Sequence, residues 1–406
     1  MNKPELLSPA GDLERLEAAL RFGADAVYLA GQEFGMRSAP ANFTNDELKL
    51  AVEKAHAQGV RIYVTCNTLP RNDEFERLPE YLMYCESIGV DAFIVTDLGV
   101  LNLAKKYAPK VEVHISTQAG IVNYAAANAF YELGASRVVL ARELSMEEIC
   151  EIRSRIPKEL EIEAFVHGAM CVSFSGRCLL SNYLTGRDAN HGECAQPCRW
   201  DYYLTERTRP ELHFPVLTSP KGTYVFNAND MCMIEHVPEL IEAGVSSFKI
   251  EGRAKAAYYV ASTTHAYRSA IDHALQRPDE PLPRWIEEET RKISHRNYCT
   301  GFYFSDDPGQ NPERIGYNRN YEVAAVCESW ENGLLTLSQR NRFFKGDSFD
   351  VLQPGCEPFT VQLQEIFNGD MEPIDNAPHP TMRVFAKCET PIAPGAYLRM
   401  KVSNSI

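Results

Sequence analysis

Short apolar runs alternate with amphipathic segments from the start of the chain to about Arg253. Each amphipathic segment carries apolar residues at helical spacing, and several end in glycine, as helices often do. The apolar runs are nearly continuous, which is typical of strands buried on both faces of a parallel sheet. We predict strands at these runs: Leu6–Ser8, Ala26–Ala30, Arg61–Cys66, Ala92–Thr96, Val113–Ser116, Arg137–Ala141, Ile162–Val166 and Phe248–Ile250.

A recurring sequence pattern indicates that one structural unit is repeated along the chain. FGADAVYLA, IGVDAFIVT, LGASRVVLA and AGVSSFKIE each contain a helix end, a glycine cap, a turn and a buried strand. Eight βα units favour a closed (β/α)8 TIM-like barrel over an open parallel sheet, which is the alternative. We therefore predict an α/β fold with a barrel over residues 1–277.

One connection in this barrel is much longer than the others. About 80 residues separate the seventh and eighth strands, whereas βα connections are usually far shorter. This insertion, at about residues 171–232, follows the carboxyl end of a strand, where barrel enzymes place their chemistry. The insertion is therefore a candidate functional site before any motif is considered.

The pattern of apolar and polar residues changes after the barrel. A proline-rich segment lies within residues 278–315, which we interpret as a linker or extension. From residue 316 onward, short alternating runs are separated by Gly and Asn turns. This pattern predicts a small all-β domain, of β-barrel type, over residues 316–406.

Composition narrows the functional classes. Neither a signal peptide nor an apolar run of membrane-spanning length is visible, so we expect a cytoplasmic protein without membrane contact. In a reducing compartment, clusters among the 12 cysteines indicate metal binding or catalysis rather than disulfides. The net charge of −14 argues against a generic nucleic-acid binder, because such proteins neutralise phosphates with basic surfaces. An RNA substrate would therefore require a local basic surface on a chain that is acidic overall.

Four cysteines of the insertion form the pattern C-x6-C-x15-C-x3-C, from Cys171 through Cys178 and Cys194 to Cys198. Four thiolates are the usual ligands of a 4Fe–4S cluster, and they also suit structural zinc. The wide first spacing favours the cluster, because zinc prefers two close pairs. Unrelated buried cysteines are a further alternative. Cys232, at the start of a predicted helix, is either an alternative ligand or a buried thiol.

Polar side chains follow several of the predicted strands. His167 ends the seventh strand, while Gln118 and Asn67 follow the fifth and third. Because the carboxyl ends of barrel strands meet at one mouth, we expect these side chains to face a common site. His167 and Gln118 are candidate catalytic residues. The alternative is that all three satisfy backbone groups at the barrel rim.

Arg142 and Arg253 also fall at strand ends and complete the set of candidate catalytic residues. A guanidinium group presents a planar fork that matches a carboxylate, so the two arginines suit a dicarboxylate ligand. The alternative for each is an ion pair with its neighbour, Glu143 or Glu251.

Other enzyme classes lack their usual motifs. The chain contains no GxxxxGK[ST], no GxGxxG after a strand, no HExxH and no GxSxG. A cysteine protease that uses Cys171 and His167 is an alternative, although a nucleophile has no need of three further thiols beside it.

The segment EAFVHGAMCVSFSGRC resembles the signature of the collagenase-like peptidase family. The resemblance extends to LLSPAGDLERLEAALRFGADAVYLAG, STQAGIVN, RVVLARELS, GECAQPCRW, SSFKIEGR and SHRNYCTGFY. It covers nearly the whole chain from Leu6 to Phe304, and the tail resembles the small β-domain of the family.

Within the family, the chain is most similar to members that hydroxylate tRNA. This resemblance implies formation of 5-hydroxyuridine at the wobble position, with prephenate as the hydroxyl donor and the tRNA anticodon loop as partner. It also implies that a 4Fe–4S cluster is held by the cysteines that match the family ligands: Cys171, Cys178, Cys194 and Cys198.

Other members of the family hydroxylate ribosomal RNA or ubiquinone precursors, and these activities, like peptidase activity, are alternatives. Two departures bear on the subfamily: the chain is short between Trp200 and Cys232, and it carries Cys232 itself. Aromatic residues of the insertion are either stacking partners for a splayed base or a small local core: Tyr183, Trp200, Tyr202 and Tyr203.

Overall fold

The computed structural model describes residues 3–35, 42–171, 173–174, 178–189, 192–199, 217–219, 222–224, 228–305, 309 and 317–402. Trp200, Tyr202 and Tyr203 lie outside the described residues, so their stacking role stays a prediction. The helices are α1 Leu13–Arg21, α2 Asn45–His56, α3 Leu78–Ser87, α4 Leu98–Tyr107, α5 Tyr124–Glu132, α6 Met146–Arg155, α7 Leu180–Thr185, α8 Val237–Glu242, α9 Ala257–Gln276 and α10 Arg284–Thr290.

The first part of the chain builds one sheet and a short hairpin. Its strands are β1 Glu5–Pro9, β2 Ala26–Leu29, β3 Arg61–Cys66, β4 Ala92–Val95, β5 Glu112–Ile115, β6 Arg137–Val139, β7 Glu161–Ala169, β8 Leu217–Ser219, β9 Gly222–Tyr224, β10 Asp230–Cys232, β11 Ser247–Ile250 and β12 Tyr298–Cys299.

The predicted barrel is confirmed, and it is closed. Strands β1 to β7 pair in order and in parallel, and β11 pairs in parallel with both β7 and β1. Ser247 of β11 lies opposite Glu5 on one side and Glu163 on the other. The eight strands predicted from the apolar runs are therefore the strands of the barrel, and the open-sheet alternative is excluded.

Side-chain caps fix where the outer helices begin. Asp12, Asp97 and Asn123 each accept a hydrogen bond from the first turn of the helix that follows. Thr44 and Ser145 form capping boxes with the glutamates three residues later. Asp12 and Asp97 follow β1 and β4 within three residues, so the loops that they end at the mouth are short. In the described residues, no helix is long and apolar enough to cross a membrane.

Two short strands extend the sheet beyond the barrel. β10 pairs antiparallel with the end of β7, and β12 pairs in parallel with β10. The prediction that Cys232 starts a helix is wrong, because Cys232 ends β10 and lies opposite His167. The strand end of β7 projects past its neighbours and offers backbone groups that β10 satisfies.

The carboxyl-terminal part is all-β, as predicted. Its described strands are β13 Tyr321–Glu331, β14 Leu334–Gln339, β15 Phe343–Phe344, β16 Ser348–Leu352, β17 Phe359–Gln362, β18 Ile366–Phe367, β19 Pro373–Ile374, β20 Asn376–Ala377, β21 Arg383–Lys387 and β22 Tyr397–Lys401. Eight of them form one antiparallel sheet in the order β17-β16-β22-β13-β14-β21-β18-β19, and the remaining two pair with each other. Fully buried Leu337, Phe349 and Leu398 lie in the core of this part.

A buried ion pair joins the all-β sheet to the barrel. Arg399 of β22 donates to both carboxylate oxygens of Glu289, at 2.6 and 2.5 Å, and both side chains are fully buried. Glu289 belongs to α10, a helix of the segment interpreted as a linker or extension. This helix packs against α9 of the barrel part. Arg399 Nη2 also lies 3.3 Å from Asp350. The contact is bidentate, so it fixes the orientation of the two groups as well as their distance.

Replacing Arg399 by alanine is expected to destabilise the protein by about 3–5 kcal/mol, because it leaves the Glu289 carboxylate buried without its bidentate partner. Thermal unfolding of the purified variant measures this effect. The control is Arg383→Ala, which breaks an exposed pair with Glu328 and is expected to cost about 1 kcal/mol or less. Equal shifts in the two variants would contradict this account of the domain contact.

Candidate active site at the carboxyl end of the barrel

A cavity of about 200 Å³ lies at the mouth of the barrel, at the carboxyl ends of the parallel strands. Residues that follow β3, β5 and β6 line its wall, and β11 with its following loop lines another side. The insertion after β7 contributes Cys171, Cys178 and Cys194. Most of the predicted site is therefore one place, because three of the four cysteines share a common space with four of the strand-end polar residues: Asn67, Gln118, Arg142 and Arg253.

Cationic side chains are concentrated in this cavity, although the chain is acidic. Among the described residues, Arg142, Lys249 and Arg253 line it, against the single carboxylate of Glu251. The chain as a whole has a net charge of −14. Charges in a partly enclosed cavity are screened less than charges on the surface, so the local excess of cations governs what binds there. The cavity is suited to an anion.

Two glycines allow Arg253 to reach the cavity. A Cβ atom at Gly11 would lie 2.3 Å from the carbonyl oxygen of Arg253, and one at Gly168 would lie 2.4 Å from that of Glu251. Gly168 also has a φ of +109°, which disfavours any other residue. The loop after β11 therefore closes tightly against the ends of β1 and β7. Arg253 as a whole is 3% exposed, and its Nη1 donates to Thr65 Oγ1 at 3.1 Å.

Arg142 reaches the same cavity from the loop after β6. Its Nη1 donates to the carbonyl oxygen of Ala169 at 3.1 Å, and its guanidinium lies 5.1 Å from the centre of the Phe165 ring. Both contacts hold a long side chain in one conformation, which reduces the entropy lost when a ligand binds. The structure thus brings the two predicted arginines together at one cavity.

Gln118 and Asn67 also line the cavity, as predicted from their positions after strands. Gln118 sits in a one-turn 3₁₀ helix whose start is capped by the Ser116 hydroxyl. Asn67 Nδ2 lies 3.4 Å from Gln118 Oε1. The two amides add neutral hydrogen-bond donors and acceptors beside the cationic side chains of the cavity.

Two thiols of the insertion accept backbone hydrogen bonds. The N–H groups of Leu180 and Gln196 donate to Cys178 Sγ and Cys194 Sγ, at 3.3 and 3.4 Å. Hydrogen bonds to ligand sulfurs tune the potentials of iron–sulfur clusters. Cys198 lies in the short turn Pro197–Arg199 and is not among the cavity-lining residues. Within the described ranges, no three His, Cys, Asp or Glu side chains form a group that could hold a metal ion.

His167 lies outside the cavity. The register of β7 against β11 shifts between Phe165 and His167, so the side-chain alternation that takes Phe165 into the barrel is broken. The His167 ring is buried among Tyr259, Tyr267 and Tyr298. Burial lowers its pKa to about 3, so the ring is neutral at physiological pH.

Cys232 lies on the same outer side of β7 as His167. Its sulfur is 3.9 Å from the hydroxyl oxygens of Tyr267 and Thr290. Burial raises its pKa to about 11, which disfavours the thiolate. It is not among the residues that line the cavity.

Several lining residues are absent from the sequence-based set, notably Lys249, Glu251 and Tyr28. Lys249, Glu251 and Arg253 occupy alternate positions of KIEGR, and alternate residues of a strand face the same side. The predicted position of Arg253 at the mouth, together with this alternation, could therefore have identified Lys249 and Glu251 as lining residues.

Comparison with known proteins agrees with the motifs. Residues 11–312 match the profile of peptidase family U32, and residues 319–399 match that of the peptidase family U32 C-terminal domain. The two matches together cover most of the chain.

Proteins similar to the chain include two tRNA hydroxylation proteins and an rRNA-modifying enzyme. The chain is 39% identical over 406 residues to tRNA hydroxylation protein P1 of Bacillus subtilis, covering 98% of this chain and 94% of the relative. It is 35% identical over 419 residues to tRNA hydroxylation protein P of Escherichia coli, covering 92% of each. It is 38% identical over 360 residues to the 23S rRNA 5-hydroxycytidine C2501 synthase of Escherichia coli, covering 86% of this chain and 52% of the relative. The resemblance found in the sequence motifs is confirmed, and the chain belongs to peptidase family U32.

Proposed function

We propose that this protein is an RNA-modifying hydroxylase that forms 5-hydroxyuridine at the wobble position of tRNA. The observation that carries the proposal is the single cavity in which cysteine thiols and an excess of cations meet at the barrel mouth. The relatives matched along almost their whole length are named for tRNA hydroxylation, whereas the rRNA-modifying relative is matched over about half of its length. That difference favours tRNA over rRNA as the substrate.

Prephenate is the proposed co-substrate, as hydroxyl donor. It is a dicarboxylate, and the cavity offers Arg142 and Arg253 with their side chains already held in place. Bidentate guanidinium–carboxylate contacts are strong and directional. The two guanidinium groups thus match the carboxylate chemistry of prephenate, although the chain itself is acidic.

Cys171, Cys178, Cys194 and Cys198 are the proposed ligands of a 4Fe–4S cluster. The donor set fits the group: three of the thiols face one cavity, and two of them receive backbone N–H groups. Each cluster thiolate binds a different iron, so the ligands of a cluster lie farther apart than those of a single ion. A bound cluster supplies electron-transfer or Lewis-acid chemistry that side chains lack.

The substrate base is accessible in the anticodon loop, where it is not paired within a helix. Unpaired bases can be splayed into a protein site at modest cost, and aromatic side chains stack on them. Tyr183 and Phe174 of the insertion are 79% and 49% exposed. We propose that they contact bases next to the one that enters the cavity.

The cysteine-protease alternative needs a base beside its nucleophile. Cys171 faces the cavity, whereas His167 is buried in an aromatic environment on the other side of β7. The structure does not bring this pair together, so no peptidase activity is proposed.

Replacing Cys171 by serine is expected to abolish or strongly reduce iron and sulfide in protein purified without oxygen, because serine is a poor cluster ligand. The wild type is expected to carry about four irons per chain, the complement of a 4Fe–4S cluster. Metal analysis and the visible absorption spectrum measure both. Cys150→Ser, at an exposed thiol of α6, is the matched control. Zinc in place of iron, or iron unchanged in Cys171→Ser, would contradict the ligand assignment.

Replacing Arg142 or Arg253 by alanine is expected to lower 5-hydroxyuridine in tRNA by at least about tenfold, because each loses a charge-assisted contact worth about 1.5–3 kcal/mol. The measurement is mass spectrometry of tRNA nucleosides from a strain that lacks its own tRNA hydroxylation genes and expresses each variant. Arg155→Ala, at an exposed arginine of α6, serves as the control. Wild-type levels of the nucleoside in both variants would remove the arginines from the co-substrate site.

A further inference from the structure

Lys249 is a buried cation of the cavity to which the proposed function gives no role. It lies in the middle of β11, is 5% exposed, and lines the cavity. Buried lysines are rare unless the ammonium group is paired or used. Its position therefore calls for a partner, a ligand or both.

The contacts of Lys249 hold its ammonium group in one place. Nζ donates to Glu163 Oε1 at 2.6 Å, and it lies 4.7 Å and 5.5 Å from the ring centres of Tyr28 and Phe165. An ammonium group has three N–H donors, and Glu163 takes one of them. Aromatic ring faces stabilise the charge without accepting a conventional hydrogen bond. Donor capacity thus remains for a ligand in the cavity.

Neutralising Glu163 does not depend on Lys249 alone. Glu163 also lies 3.2 Å from Arg137 Nη1, and Arg137 in turn pairs with Glu5 and Glu161. Burial opposes ionisation of Glu163, but Lys249 and Arg137 together hold its pKa below its usual value. A second cation already pairs with the carboxylate, so neutralising Glu163 does not by itself require a lysine that faces the cavity.

Lys249 and Arg253 mark two levels of the cavity. Alternate residues from Ser247 upward face the barrel interior, and Ser247 bonds Glu5 beneath the cavity. Lys249 therefore lies deeper than Arg253, on the cavity floor. Two separated cationic levels match a ligand whose negative charges are separated.

We infer that Lys249 is a specificity-determining residue that binds the second carboxylate of a dicarboxylate co-substrate, and that Glu163 holds its ammonium group in position. The inference rests on the proposed function, which supplies the co-substrate. Arg142 and Arg253 then hold one carboxylate at the mouth, while Lys249 holds the other on the floor. The arrangement selects dicarboxylates over monocarboxylates, because a monocarboxylate leaves the cation on the floor without its ligand.

Calorimetric titration with prephenate and with phenylpyruvate, an aromatic analogue without the ring carboxylate and ring hydroxyl, tests this inference. The protein is purified without oxygen as wild type, Lys249→Met, Lys249→Arg and Lys106→Met, the last at an exposed lysine of α4. The Lys249→Met variant loses one charged contact, so we expect its Kd for prephenate to rise about 10- to 100-fold. Phenylpyruvate binding is expected to stay near the wild-type value. We expect Lys249→Arg to keep part of the preference for prephenate over phenylpyruvate, and Lys106→Met to keep all of it.

Three results would overturn the inference. An unchanged preference for prephenate in Lys249→Met would show that Lys249 does not read the second carboxylate. Equal weakening of both ligands, together with a lower unfolding temperature, would assign Lys249 a structural role only. Failure of the wild type itself to bind prephenate would overturn the proposed co-substrate, and this result is distinct from the first two.

Discussion

A buried ion-pair network inside the barrel is the interaction on which the rest of the structure depends. Arg137 of β6 contacts Glu5 of β1 at 2.6 Å and Glu163 of β7 at 3.2 Å, and Glu163 contacts Lys249 of β11. These four strands include those that close the barrel. Buried charges are strongly destabilising when a partner is removed, so the network permits one register between the closing strands.

The network also sets the chemistry of the mouth. Its upper member, Lys249, faces the cavity, and the strand that carries it continues into Glu251 and Arg253. Tight approaches at Gly11 and Gly168 then hold this continuation against β1 and β7. An acidic chain thereby presents a cationic cavity at one end of its barrel. Fold and site are linked because the same strands that close the barrel carry the cations.

Much of this arrangement could be predicted from sequence, because its signals are periodic. Apolar runs located the barrel strands, and residues after those runs, such as Gln118 and Arg142, do line the cavity. The failures have local causes. A register shift in β7 turns His167 away from the barrel, and pairing with β7 makes Cys232 part of a strand. Neither a bulge nor an antiparallel extension leaves a periodic signal. Lys249 was not predicted as a site residue, because a lysine within an apolar strand is also what a structural ion pair would produce.

The most direct test of the central claim is reconstitution without oxygen. Protein carrying the proposed iron–sulfur cluster would be incubated with tRNA from a strain that lacks tRNA hydroxylation, with and without prephenate. We expect 5-hydroxyuridine at the wobble position only when prephenate is present, detected by nucleoside mass spectrometry. Hydroxylation that is independent of prephenate, or none when the proposed cluster is fully loaded, would contradict the proposal that the cavity is the co-substrate site.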